Sequence, residues 1–258
     1  MRPIGASIIV VIGDMVMPRP TQNSRLARHV SELKFNLILT SGSALSSICE
    51  FIKQNNSLRM VVLRNNVLGD DGVIAISNAI RQSKSLATMD LSYNRIGALG
   101  ATAIADAINQ SKSLTTIHLS SSQLDAAGVF ALADAIKKSQ LLSTVNLRGN
   151  KIGDVGASAI AEAIKQSQSL TTVDLKHNSI CDKGASAIAE AIKQSKSLTA
   201  VGLSHNWIGN AGASAIAAAT KQSTSLIMVD LSSNIVGVFG RSAIKEAVKQ
   251  SKSFVVKL

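Results

Sequence analysis

Aromatic side chains are scarce in this chain, at 3% of 258 residues, with one Trp, one Tyr and five Phe. A pocket lined by aromatic rings is therefore disfavoured. Cysteine is scarcer still. Cys49 and Cys181 are the only two, and no CxxC spacing occurs, so neither a disulfide framework nor a thiolate metal site is available. The chain fits a reducing compartment. No stretch approaches the ~18 consecutive apolar residues that a membrane span needs. The best candidate, Ile8 to Ile12 with Ile4 before it, is cut by Gly5, Gly13 and Asp14. Arg2 imitates a signal-peptide start, but no clear small-x-small cleavage site follows, and residues 1–28 read as an apolar cap or flanking segment on the first packed unit.

Acidic residues are also few: 16 Asp and Glu stand against 27 Lys and Arg, a formal net charge of +11. Such a surplus raises nucleic acid or anionic membranes as partners, and only the placement of the charges can decide. What is abundant is small and aliphatic. Hydrophobic residues make up 46% of the chain, and Ala, Ser and Gly recur throughout. This composition builds a large core through aliphatic contacts at close backbone approach and is too apolar for disorder.

The chain repeats itself. Ser85-Leu86 returns as Ser113-Leu114, Ser169-Leu170, Ser197-Leu198 and Ser225-Leu226, always at a multiple of 28 residues. Met89/Leu91, Ile117/Leu119, Val145/Leu147, Val173/Leu175, Val201/Leu203 and Val229/Leu231 follow in the same register. Seven clear copies run from Ser57 to Lys252. A degenerate copy precedes them, with Val30, Leu33 and Phe35 at strand positions and Ile48 and Ile52 at helix positions, and Ser253 to Leu258 begins one more. Residues 29–258 thus form one repeat domain.

Within a copy the periodicity changes halfway. LxxVxL alternates with period two and is β-branched, which predicts a strand with one buried face. Gly156 to Ile164 is Ala-rich with apolar residues at helical spacing, which predicts a helix of about ten residues. Parallel strands joined by right-handed crossovers stack into a solenoid. After each strand comes an Asn: Asn66, Asn94, Asn150, Asn178, Asn206 and Asn234, with Ser122 the one departure. There the chain leaves the sheet and its backbone groups lose their ladder partners, so an inward amide with both donor and acceptor can satisfy them.

The pattern LxxVxLxxNxI at a 28-residue period resembles the leucine-rich repeat of the ribonuclease-inhibitor type, the subtype also found in NOD-like receptors, over Val30 to Leu258. The resemblance implies an α/β half-horseshoe, strands on the concave face and helices on the convex, that recognises other proteins on its curved surface. Strands sit ~4.8 Å apart while packed helices need about 8 to 10 Å, and the mismatch bends the stack. Ala103, Ala107, Ala159, Ala163, Ala187 and Ala191 let neighbouring helices approach closely. Uninterrupted Ala-rich copies are also similar to the leucine-rich effectors that intracellular bacteria deliver into host cells. The expected location is therefore the cytoplasm, or a host cytosol reached without a classical signal peptide.

Much of the positive charge falls at one repeat position. Lys53, Arg81, Lys137, Lys138, Lys165, Lys193, Lys221 and Lys249 occupy the last helical turn, and Lys84, Lys112, Lys196 and Lys252 lie just beyond. Cations there favour the negative end of the helix dipole by ~0.3 to 1 kcal/mol each and keep the convex surface soluble. No aromatics interleave them to stack bases, so nucleic acid is disfavoured.

The candidate partner-binding residues lie on the concave face and its rim: Arg64, Asp90, Tyr93, Arg95, His118, Asn146, Arg148, Lys151, Asp174, Lys176, His177, His205, Trp207 and Asp230. Trp207 and Tyr93, each the only one of its kind, have the size and amphipathic character of interface anchors. His177 and His205 share a position in adjacent copies, ~5 Å apart across the sheet, without a third ligand for a metal. His118 between Asp90 and Asn146 imitates part of a triad but has no nucleophile with a base partner. No phosphate loop, cofactor motif or catalytic set is expected. The expectation is a non-enzymatic scaffold for a protein partner. Its rivals are GTPase activation, since activators of the nuclear-transport GTPase use the same repeat, and binding of nucleic acid or anionic lipid. Lys257 falls, by the 28-residue offset, at the buried Val column, which implies either a slipped final strand or an edge blunted by charge. A monomer is favoured over a weak dimer paired through that edge.

Overall fold

The computed structural model describes residues 9–11, 31–34, 42–250 and 255–258. Its elements alternate. They run β1 (Ile9–Val11), β2 (Glu32–Lys34), α1 (Gly42–Gln54), β3 (Met60–Val62), α2 (Gly69–Gln82), β4 (Thr88–Asp90), α3 (Ala98–Gln110), β5 (Thr116–His118) and α4 (Ala126–Lys138). Then come β6 (Thr144–Asn146), α5 (Gly153–Gln166), β7 (Thr172–Asp174), α6 (Asp182–Gln194), β8 (Ala200–Gly202), α7 (Asn210–Gln222), β9 (Met228–Asp230), α8 (Val238–Gln250) and β10 (Val255–Lys257). The ten strands form one open, parallel sheet in chain order, and each helix packs beside its sequence neighbours. That is the architecture of a solenoid, one layer of strands against one layer of helices.

From β2 to β9 the pairing keeps the 28-residue offset, with Val61 beside Met89, Ile117, Val145, Val173, Val201 and Val229 in turn. These central residues are 0–1% exposed, as are Leu63, Leu91, Leu119, Leu147, Leu175, Leu203 and Leu231 just beyond them. From the other layer Ile76, Ile104, Leu132, Ile160, Ile188 and Ile216 meet them, all fully buried. Burying each such side chain contributes ~1.5 to 3 kcal/mol.

Three features correct or add to the sequence-based expectation. The helices run 13 or 14 residues rather than ten, because they begin before the Ala-rich segment, at Gly153, Asp182 and Asn210. In the final strand Val256, not Lys257, pairs with Val229, an offset of 27 residues. Of the two alternatives for that strand, the slip by one residue is the one found. It keeps Val256 against the core and turns Lys257 outward beside Asp230, avoiding the burial of an ammonium. Third, Ile9–Val11 adds a parallel strand beside Glu32–Lys34, inside the segment read as a cap. Val30, Phe35, Lys252 and Phe254, which also entered the repeat assignment, lie outside the described residues.

Candidate protein-binding face

Most bends after the strands are held by an amide that serves two copies at once. The Asn150 amide donates from Nδ2 to the Leu147 carbonyl of its own copy at 2.9 Å and to the Leu119 carbonyl of the preceding copy at 2.7 Å. Its Oδ1 accepts from the Ser122 backbone N–H at 2.9 Å and the Leu124 N–H at 3.3 Å. Asn94, Asn178 and Asn206 repeat this bridging arrangement. Ser122 is too short for it. The shortfall falls in the copy before rather than in Ser122's own bend: there the Ile96 N–H turns instead to the Ser122 backbone carbonyl at 2.6 Å. The Ser122 hydroxyl still reaches the Leu91 carbonyl at 3.3 Å.

The residues flanking the Asn pay for this bend in backbone conformation. Tyr93, Arg95, Lys151, His177 and His205 have φ of 62°, 51°, 51°, 54° and 55°. Left-handed backbone costs a non-glycine residue on the order of 1 to 2 kcal/mol, and Gly149 at φ 73° is where one copy avoids it. The buried carboxamide between them holds the conformation, and the flanking side chains point to solvent. Tyr93 is 48% exposed and Trp207 61%.

A second device links copies at the helix starts. The Asp154 carboxylate accepts from the backbone N–H of Cys181 at 2.8 Å and of Gly184 at 2.9 Å, so it caps α6 of the next copy rather than its own helix. Asp70 does the same for Gly97 and Gly100, and Asp182 for Gly209 and Gly212. A Cβ at Gly184 would stand 2.7 Å from Asp154 Oδ1, so the close approach requires glycine. Among the described helix starts only α4 is capped from within, by Asp125 on Gly128.

On this frame the candidate residues form two charged clusters. At the N-terminal end Arg64 Nε lies 3.6 Å from Asp90 Oδ2, and its guanidinium stands 5.6 Å from the Tyr93 ring centroid. Arg95 shares the rim with Tyr93 and has no ion pair among the described residues. His118 sits between Asp90 and Asn146 in the strand row, as expected. Asn146 Oδ1, however, is taken by the Ser120 hydroxyl at 3.0 Å and the Arg148 amide N–H.

At the C-terminal end the His177 and His205 rings stack at 4.1 Å between centroids with 9° between their planes. Arg148 Nη2 lies 3.2 Å from His177 Nε2. A guanidinium only donates, so Nε2 accepts and His177 is the neutral tautomer with its proton on Nδ1. Partial burial, His205 and Arg148 hold its pKa below the usual imidazole value. Lys176 Nζ crosses Gly202 to reach Asp230 Oδ2 at 2.9 Å. A Cβ at Gly202 would stand 2.9 Å from Lys176 Cε. Burial would raise the Asp230 pKa, but the Ser232 hydroxyl and amide together with the Lys176 ammonium pull it down to about 2. Asp174 Oδ1 accepts from the Lys176 amide N–H at 3.0 Å. Asp230, 8% exposed, therefore faces its own chain more than solvent.

The structure adds residues that reading for single aromatic or charged positions had missed. Ile235 follows Trp207 by one repeat and is 70% exposed; Val238 and Phe239, at the start of α8, are 80% and 81% exposed. The repeat offset from Trp207 would have found Ile235. On the helical layer Lys53, Lys137, Lys138, Lys165 and Lys193 pair with acidic residues three or four positions earlier. Such exposed pairs contribute little energy and compensate part of the charge there. Among the described residues no helix is long and apolar enough to cross a membrane, and no three metal-ligating side chains cluster.

Fold and face together define a parallel strand-and-helix solenoid that offers an open, polar sheet rim to solvent. The family model described as "Leucine Rich repeat" matches residues 54–77, 82–105, 110–133, 138–161, 166–189 and 194–217, more than half of the chain, and the protein belongs to that family. The matches recur at the same 28-residue offset. A search by sequence against curated proteins finds no match. Among solved structures, the chain is similar to one titled "Leiomodin-1 Actin-Binding Site 2 (ABS2)", with 17% identity, a TM-score of 0.51, and coverage of 57% of this chain and 86% of that one. It is likewise similar to the tropomodulin C-terminal domain of Caenorhabditis elegans, with 17% identity, a TM-score of 0.50, and coverage of 58% and 92%. At this identity the likeness concerns the fold.

Proposed function

We propose that the protein is a non-enzymatic scaffold that holds a partner protein on its strand face. One observation carries this: the copies repeat their buried columns almost unchanged, while the outward column at the end of each strand differs from copy to copy. Along the strand row the side chain changes from Asp90 to His118, Asn146, Asp174 and Gly202, although the neighbouring buried column stays Met, Ile or Val. A surface serving solubility alone has no need of such variety. The row of eight strands from β2 to β9, at ~4.8 Å each, extends on the order of 40 Å, enough with its loops for a standard interface of about 800 Å² per partner. The leiomodin segment, whose title names actin binding, is a case of this fold used to hold a protein. The ribonuclease-inhibitor-like subtype, a delivered bacterial effector and a cytoplasmic location are proposed on the same footing, and free thiols at Cys49 and Cys181 are consistent with a reducing compartment.

Site-directed photocrosslinking tests the proposal. A benzophenone side chain replacing His118 is expected to capture a discrete partner, and one replacing Glu190 on the helical face is not. Equal capture from both positions, or capture from the helical face alone, refutes it. A GTP-hydrolysis assay on any GTPase so captured separates scaffold from activator.

A further inference from the structure

The two ends of the rim differ in how their charges are compensated. At the N-terminal end Arg64 is paired with Asp90 and stands beside the Tyr93 ring, which leaves Arg95 as the cation there without an ion pair among the described residues. At the C-terminal end Lys176 is neutralised by Asp230, while Asp174 accepts from the Lys176 backbone N–H and keeps its negative charge near His177. Arg148 has only a neutral imidazole against it, and Lys151 has no ion pair among the described residues. Two uncompensated cations thus stand beside a stacked pair of imidazoles.

The same ridge ends in apolar surface. Trp207 is 61% exposed and Ile235, at the equivalent position one copy on, is 70% exposed. Adjacent exposed apolar side chains rimmed by polar ones mark interaction surfaces. A partner complementary to the ridge carries negative charge at one end and an apolar group at the other. Nucleic acid answers the charge but leaves Ile235 unmatched, and one indole is a poor stacking platform.

We infer that the ridge from Arg148 and Lys151 through His177 and His205 to Trp207 and Ile235 docks an acidic amphipathic segment of a partner protein. The carboxylates of that segment lie toward Arg148 and Lys151, and an apolar side chain packs on Trp207 and Ile235. This rests on the proposed protein-binding role and narrows it to one partner chemistry and one half of the face. Desolvated contact on Trp207 supplies affinity, and the cations orient the segment and speed its encounter.

Trp207 is the only tryptophan, so its fluorescence reports the site directly. The intact protein is titrated with a short soluble peptide of two leucines flanked by glutamates, with its leucine-lysine counterpart, and with oligo(dT). The acidic peptide is expected to shift Trp207 emission with an affinity that falls as salt rises. Arg148→Glu with Lys151→Glu, or Ile235→Asp, is expected to weaken it at least about tenfold. No emission change with the acidic peptide, equal response to the lysine peptide, a stronger response to oligo(dT), or unchanged affinity in the charge-reversed variant each overturns the inference. A Trp207→Phe, Tyr93→Trp variant moves the reporter to the other end of the face. Response there alone sinks this inference and leaves the protein-binding role standing, whereas silence at both ends counts against both.

Discussion

Lys176 and Asp230 form an ion pair across two repeats, 2.9 Å apart, over the one strand position that lacks a side chain, Gly202. The pair depends on that gap. Gly202→Ala places a Cβ 2.9 Å from Lys176 Cε and is expected to move the lysine away. The Asp230 pKa, now about 2, then rises part of the way toward the ordinary carboxylate value, since the Ser232 hydrogen bonds remain. NMR titration of the Asp230 carboxyl reads this, and an unmoved value shows that the lysine does not depend on the gap.

The same carboxylate gives the fold an acid-labile element. In the folded chain Asp230 keeps its charge down to about pH 2; in the unfolded chain it takes up a proton near pH 4. Between those values the unfolded state binds more protons, so stability present above about pH 4 is lost as pH falls toward 2, on the order of 2 kcal/mol in all. Asp230→Asn is expected to be less stable at neutral pH and to show a shallower acid slope in denaturant titrations. Parallel slopes would assign the acid sensitivity elsewhere.

Arg148 opposes protonation of His177, and so does the stacked His205. Asp174 acts in the opposite direction and Lys176 adds to the depression. Arg148→Ala is expected to raise the His177 pKa, seen as an upward shift of the imidazole resonance midpoint. Since the folded value is the depressed one, stability from this group is present above the ordinary imidazole pKa and lost below it, and Arg148→Ala lessens that loss. An unmoved His177 pKa would show that the Arg148 contact is not formed in solution.

Asn150 is 1% exposed and bridges two copies through both ends of its amide. Asn150→Ala strands the buried Leu119 carbonyl and the Ser122 and Leu124 N–H groups and is expected to cost roughly 1 to 3 kcal/mol in urea unfolding. Ser122→Asn restores the amide to its column and is expected to add roughly 0.5 to 1.5 kcal/mol. If both changes leave the midpoint unmoved, the amide ladder does not support the stack.

Asp154 lies in α5 but caps α6. Asp154→Ala is expected to cost about 1 kcal/mol, and amide exchange is expected to accelerate at Cys181 and Gly184 while the start of α5 keeps its protection. Acceleration confined to α5 would show that the cap is local.

The period of 28 residues by itself determined which side chains become neighbours. In-register parallel pairing converts a sequence offset directly into a place in a column, so Leu91, Asn94 and His177 could be assigned to core, bend and rim without coordinates. The adjacency of His177 and His205 followed from the same arithmetic, though their stacking did not, and the offset that located Trp207 also contained Ile235. Tertiary structure decided whatever depends on the reach of a side chain or on a break in the period. Lys176 skips a copy because a long flexible chain finds room over Gly202. Asp154 caps a neighbour because the turn of one copy lies against the helix start of the next. The final strand gives up the period altogether. An offset of 28 would have buried Lys257, and the cost of desolvating its ammonium exceeds that of a slip by one residue, which puts Val256 inside instead.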